Sequence, residues 1–166
     1  MGHVGVALAK APRMRKKSAG RTTREAPMVI REARSDDARS LAELVTQLEH
    51  PATPAEIQQR LAVLPLGSVL VAETDTEIVG CLTLHVTPVL HRAGPVGRIT
   101  MLIVREDMRG QGIGQALVEA AKQRFKLRGC VLAEVTSNLR LKPAHAFYER
   151  LGFRKTSWRF GKQLDA

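Results

Sequence analysis

The sequence predicts an α/β fold, a mixed antiparallel–parallel sheet with helices on both faces, in the order β-α-α-β-β-β-α-β-α-β. Three observations lead there. Residues 68–73, 78–86 and 99–104 are strand-like runs separated by a turn and a loop, which reads as an antiparallel meander. The apolar runs at residues 99–104 and 130–135 flank a helix-patterned stretch, which reads as a parallel pair joined by a right-handed crossover. The chain has 166 residues, 44% of them hydrophobic, enough for one core of single-domain size.

Residues 1–27 hold neither a helical nor a strand period and are rich in Gly, Pro, Arg and Lys, so they read as a disordered basic tail. The short apolar segment at residues 4–9 precedes the charges and does not make a signal peptide. Val6 stands where a myristoylation signal needs Ser or Thr. An organelle leader and a start codon placed upstream of the true Met28 are the other readings. The folded domain is expected over residues 28–166, with residues 28–34 as its first strand. Ser35 is placed to cap a helix with Asp36 and Asp37 at the positive end of its dipole. Leu41, Leu44, Val45 and Leu48 give that helix its core face. Thr53-Pro54-Ala55-Glu56 is a capping box with proline at the first helical position, followed by Ile57, Leu61 and Leu64. After the meander and the crossover helix, residues 143–151 read as a helix and residues 153–160 as a last strand.

The chemistry concentrates at residues 99–121. Ile99, Met101, Leu102, Ile103 and Val104 form the continuous apolar run of a strand covered on both faces. Ile113, Ala116, Leu117, Ala120 and Ala121 mark one face of a helix. Between them, Gly110, Gly112 and Gly114 leave backbone free to adopt φ > 0 or to meet a ligand closely. The first turn of a helix has unpaired N–H groups and the positive end of the macrodipole, so a diphosphate suits it. Arg109 adds a guanidinium fork. A P-loop would need Lys-Ser/Thr where Gln115 and Ala116 stand, and a dinucleotide fingerprint would need G-x-G-x-x-G opening the domain. Arg109-Gly110-Gln111-Gly112-Ile113-Gly114 matches a third pattern, Arg/Gln-x-x-Gly-x-Gly/Ala, at every position.

With a second motif, Phe147-Tyr148-Glu149-Arg150-Leu151-Gly152-Phe153, the chain resembles the GNAT superfamily of acyl-CoA N-acyltransferases over residues 28 to about 160. The resemblance implies acetyl-CoA as co-substrate. Its diphosphate would lie on Arg109, Gly110, Gln111, Gly112, Ile113, Gly114 and Gln115. Its pantetheine arm would pair with the backbone of Leu102, Ile103 and Val104 where two strands splay. Asn138 would touch the same arm, although it lies ten residues before Tyr148, where family members often have seven. Tyr148, the only tyrosine, is implied as general acid. Ala144, Phe147 and Leu151 make the buried face of its helix, with Tyr148 and His145 on an adjacent face toward a cleft. Some members carry a glutamate base near the start of the glycine-loop strand. Arg98 stands there, and Glu134 in the next strand is the substitute, readable equally as an exposed strand residue.

The implied reaction is direct acetyl transfer within a ternary complex. It needs a neutral amine, a main-chain N–H polarising the thioester carbonyl, and a proton for the departing thiolate. The expected acceptor is a primary amine of a small molecule. A protein lysine or N-terminus, and a coenzyme-binding module without turnover, are the alternatives.

Charge excludes less than it suggests. Residues 1–27 carry seven Lys or Arg against one Glu, which is +6 of the net +10 and leaves +4 for the rest. No aromatic or motif support marks a nucleic-acid face, so no specific nucleic-acid partner is expected. No apolar run approaches the roughly 18 residues of a membrane span. Cys81 and Cys130 lack C-x-x-C spacing and read as reduced thiols of a cytoplasmic protein. No His/Cys/Asp/Glu set has metal-ligand spacing, so no metal is expected, and His85 alone among the histidines is a candidate for lining an acceptor pocket. No serine sits in a G-x-S-x-G elbow, which sets a hydrolase aside. The resemblance leaves room for a homodimer.

Overall fold

The computed structural model describes residues 27–75 and 77–164. The basic tail expected over residues 1–27 therefore lies, but for Pro27, outside the described residues. The elements are β1 (Met28–Glu32), a 3-10 turn (Ser35–Asp37), α1 (Ala38–Thr46), α2 (Pro54–Val63), β2 (Val69–Thr74) and β3 (Glu77–Thr87). They continue with β4 (Val96–Val104), a second 3-10 turn (Glu106–Met108), α3 (Ile113–Leu127), β5 (Leu132–Val135) and α4 (Lys142–Arg150). The sheet runs β1-β2-β3-β4-β5, antiparallel up to β4 and parallel between β4 and β5.

Alternating side chains feed two cores, one on each face. Leu70, Leu82, Ile99, Leu102 and Val104 pack with Leu117, Val118, Phe125 and Tyr148 of α3 and α4. Val69, Val71, Cys81 and Ile103 pack with Leu41, Leu44 and Ile57 of α1 and α2. Both thiols are free. Cys81 is buried in the second core, which pushes its thiol up to about 12.

The entry to α1 is held by a polar cluster. Arg31 on β1 donates to both carboxylate oxygens of Asp37 at 2.8 Å and to Glu73 on β2 at 2.8 and 3.0 Å. Asp37 also accepts from the Arg34 N–H at 2.7 Å. Burial alone would raise the Asp37 pKa, but the Arg31 and Arg34 hydrogen bonds outweigh it and hold the carboxyl below its usual range.

Three expectations need correcting. Ser35 does not cap α1; its hydroxyl accepts from Gln58 Nε2 at 2.8 Å, and Asp37 closes the turn instead. The Thr53–Glu56 capping box, by contrast, forms with both of its reciprocal hydrogen bonds. Residues 153–160 form no strand. Their alternation is real, but a strand needs a neighbour's backbone, and Trp158 (65% exposed) and Phe160 (92%) project into solvent. The third correction concerns α4. Ala144 and Tyr148 form its buried face, with Phe147 and Leu151 only half-buried. Tyr148 thus belongs to the core-facing side, because Ala144 at i−4 leaves room for the ring against the sheet.

β4 changes character at Thr100. Opposite β3, Ile99 pairs with Leu84 and Met101 with Thr83, so Thr100 is an extra residue, a bulge. A bulge bends its strand and sharpens the twist. On the other edge, β5 pairs only from Val96↔Leu132 to Ile99↔Val135. Residues 100–104 therefore have β3 on one edge and, among the described residues, no strand on the other. No helix among the described residues is long and apolar enough to cross a membrane.

Candidate active site

The unpaired edge of β4 runs directly into the glycine loop. After Val104 the chain makes a 3-10 turn and reaches Arg109. Gly110 and Gly112 both take φ +82°, a left-handed conformation that costs glycine nothing, and Gly112 is the N-cap of α3. Nothing lies within 4 Å of where a Cβ on either would sit, so the outer side of the loop is open. The Ala116 N–H closes the first helical hydrogen bond on the Gly112 carbonyl. The N–H groups of Ile113, Gly114 and Gln115 precede it and have no place in the helical ladder. This is the arrangement expected of an anion cradle.

Gly114 differs from the other two. A Cβ there would stand 3.4 Å from the Phe147 ring and 3.7 Å from Val104, ordinary contact distances, so this position, packed between α4 and β4, would accept alanine, as the motif allows. Arg109 is turned inward. Its Nε donates to the Val104 carbonyl at 3.0 Å and its Nη2 reaches Gln47 of the α1 end at 3.4 Å, fastening the loop to the strand. Ile113 is buried in the core, so only its backbone faces the loop, while Gln111 and Gln115 are exposed. Leu102, Ile103 and Val104 bury their side chains on alternate faces and leave backbone at the open edge.

Tyr148 lies edge-on to Phe147 at 5.1 Å and to Phe153 at 5.7 Å between ring centroids. Its hydroxyl is buried and has no hydrogen-bond partner among the described residues. Burial pushes its pKa well above the ordinary phenol value, so the group stays protonated. Ser137, two residues beyond β5, has a hydroxyl in the same condition. Ser68, one residue before β2 and away from this edge, has a third such hydroxyl, so the position of Ser137 near the end of β5 and of Tyr148 on α4, and not the missing partner alone, ties them to the β4–β5 divergence. The open glycine cradle, the free strand edge and these two hydroxyls fit a diphosphate-bearing, peptide-like coenzyme.

Other candidates are placed as follows. The Asn138 side-chain oxygen accepts from the Arg140 N–H at 3.0 Å and its carbonyl meets His145 Nε2 at 2.9 Å, so Asn138 shapes the loop between β5 and α4. Glu134 forms an ion pair with Arg98, its partner in the parallel register. Thr83 and Thr100 join hydroxyls at 2.7 Å across the bulge. Ser137, Thr83 and Thr100 carry no motif; only the strand register and the end of β5 single them out.

The family model described as "Acetyltransferase (GNAT) family" matches residues 28–153. The chain belongs to the GNAT family. Within the GNAT family it is 39% identical over 88 residues to the aminoalkylphosphonate N-acetyltransferase of Salmonella typhimurium, covering 53% of this chain and 57% of that protein. This chain thus spans little more than half the length of that curated relative. Among solved structures, a transcriptional regulator from Bacillus halodurans C-125 superposes with a TM-score of 0.76 at 27% identity, over 83% of this chain and all of that one. Glucosamine-6-phosphate N-acetyltransferase from Arabidopsis thaliana gives 0.71 at 25% identity, over 84% and 99%. The likeness to these structures extends to the fold as a whole, over more than four-fifths of the chain.

Proposed function

We propose that residues 28–166 form an acetyl-CoA-dependent N-acetyltransferase that acts in the cytoplasm on the primary amine of a small molecule. The observation that carries this reading is the continuity of the unpaired β4 edge with the open left-handed glycines at the head of α3. Each part has a role. The N–H groups of Ile113, Gly114 and Gln115 at the head of α3, reached past the open Gly110 and Gly112, receive the diphosphate, with Arg109 holding the loop in place. The backbone of Leu102, Ile103 and Val104 pairs with the amide-bearing arm. A main-chain N–H of the same edge polarises the thioester carbonyl.

Acetyl-CoA, when bound, supplies the activated acyl group. Burial keeps Tyr148 protonated at rest; it gives that proton to sulphur as the carbon–sulphur bond breaks, and the phenolate, disfavoured by the same burial, recovers a proton from the nitrogen as the amide forms. A thiol with a pKa of about 8.5 leaves readily, so donation from a weak acid is sufficient. The expected glutamate base is absent: Arg98 stands at that position and pairs with the carboxylate of Glu134.

The acceptor follows from the relatives by likeness. One is named for an aminoalkylphosphonate and one for an amino-sugar phosphate, both small primary amines carrying phosphorus. Such amines are the first to test. The purified chain with acetyl-CoA and a panel of amines should yield N-acetyl products and free thiol. Acetylation of lysine peptides in place of small amines would move the reading to a protein substrate. Coenzyme binding without product across the panel would reduce it to a binding module.

A further inference from the structure

α1 and α2 cover only one end of their face of the sheet. Cys81, Met101 and Ile103 lie beneath them. Farther along the same strands, that alternation reaches Thr83, His85 and Thr87 on β3 and Arg98 on β4, all polar. The register sets His85 opposite Arg98, and Arg98 opposite Glu134 on β5. The loop between β3 and β4 brings His91 and Arg92 to the same place. Together these side chains line a cavity of about 310 Å³.

The charge of this cavity is unbalanced. Its only carboxylate, Glu134, is already matched by Arg98. Arg92, His91 and His85 have no hydrogen-bond or ion-pair partner among the described residues. One guanidinium without a counter-ion and two imidazoles without a hydrogen-bond partner among the described residues thus converge on a concave polar surface. A solvated basic patch would need neither the concavity nor the alignment with the bulge. Here the two coincide. Arg98 and Thr100 are two residues apart on β4, about 6–7 Å along a strand. A short alkyl chain spans that distance.

We propose that this cavity is an anion subsite for the acceptor. Arg92 and His91 donate to the phosphonate or phosphate group of a short amine, His85 closes the floor, and the amine extends along β4 to the bulge at Thr100. Arg fits such an anion because its planar fork offers paired donors. This inference rests on the acetyl-transfer reading and adds to it the residues that select the acceptor.

The test compares 2-aminoethylphosphonate, its carboxylate counterpart 3-aminopropanoate, and n-propylamine, which lacks the anion. Acetylation kinetics are measured for the native chain, Arg92→Ala and His91→Ala. Both residues lie on an exposed loop, so the variants should fold. The native chain should prefer the phosphonate over propylamine in kcat/KM by tenfold or more. Arg92→Ala should cut that selectivity about tenfold, chiefly through KM for the phosphonate, as expected for one charge-assisted hydrogen bond. Equal kcat/KM for the phosphonate and propylamine in the native chain would overturn the subsite and leave the transferase reading intact. So would unaltered selectivity in Arg92→Ala, or a preference for the carboxylate. If no amine is acetylated, the transferase reading fails, and calorimetric titration with 2-aminoethylphosphonate decides the subsite alone. Binding that weakens about tenfold in Arg92→Ala upholds it; no binding, or binding that ignores the substitution, overturns it.

Discussion

Asp37 and Tyr148 are buried to a similar degree, 8% and 4% exposed, yet the protein answers their polar atoms in opposite ways. Asp37 receives two donors from Arg31 and one from the Arg34 backbone, and Arg31 in turn engages Glu73. The cluster is closed: every strong donor has an acceptor within the fold. The Tyr148 hydroxyl, like that of Ser137, receives nothing. A buried polar group without a partner costs free energy that folding alone has no reason to spend. The closed cluster therefore belongs to stability; in the proposed reading the Tyr148 and Ser137 hydroxyls are open to the coenzyme between β4 and β5, a role that the likewise unpartnered Ser68 beside β2 does not share.

That contrast can be broken experimentally, beginning where the effect is largest. Asp37→Asn removes the charge that Arg31 grips and should cost about 1–3 kcal/mol of unfolding free energy. A denaturant titration checks this, and acetyl-CoA affinity should not change. The pH dependence has a definite sign. The Asp37 carboxyl is held below its usual range, so its contribution is complete above the ordinary carboxylate pKa of about 4. It is lost as pH falls through the lowered value. Melting temperature should therefore drop in acid, and less steeply in Asp37→Asn.

Tyr148→Phe should do the reverse. Deleting a hydroxyl that bonds to nothing should leave the melting temperature unchanged or raise it, while kcat falls about 100-fold on an acceptor for which chemistry limits the rate. A kcat within twofold of the parent would remove Tyr148 from the acid's role.

Gly112→Glu should weaken acetyl-CoA binding by about tenfold, since a carboxylate would stand where phosphate oxygens belong. Its left-handed φ of +82° adds roughly 1 kcal/mol of strain to the fold, visible as a small drop in melting temperature. Calorimetry separates the two effects. The smallest change is expected of Ser137→Ala: no loss of stability and a rise of about threefold in the KM for acetyl-CoA, in keeping with one neutral hydrogen bond.

The two regions also differed in how far the sequence revealed them. The glycine loop is contiguous, and its φ > 0 positions require the very residues that spell the motif, so Gly110 and Gly112 were readable. Gly114 was readable only as part of the motif, and its neighbour across the packing, Phe147, lies 33 residues away. The Thr53–Glu56 box was readable because both partners sit within one turn. The Arg31–Asp37–Glu73 cluster was not, since Glu73 is 42 residues from Arg31 and only the β1–β2 register joins them. His85 was readable as a pocket candidate, but its alignment with Arg98 and Glu134 was hidden for the same reason. The rotation of α4 escaped because Phe147 and Tyr148 are adjacent aromatics, and helical spacing cannot say which of two neighbours faces inward. The strand expected at residues 153–160 shows the converse limit, since alternation describes a ribbon ready to pair and supplies no partner.

The unpaired length of β4 has one more consequence, for solubility. A strand edge left open at the rim of a sheet invites the strands of other molecules and is a common start for aggregation. In this protein the open edge at residues 100–104 is interior: β5 still clamps residues 96–99, and Tyr148 shares a core with Leu102 and Val104 on one face. A slender chain with few side branches can thread such a slot. A foreign β-strand, with bulky groups alternating to both sides, meets β5 and α4 before it can pair. On the proposed reading, the protein thereby keeps part of its hydrogen-bonding ladder open for its coenzyme without becoming a template for its neighbours.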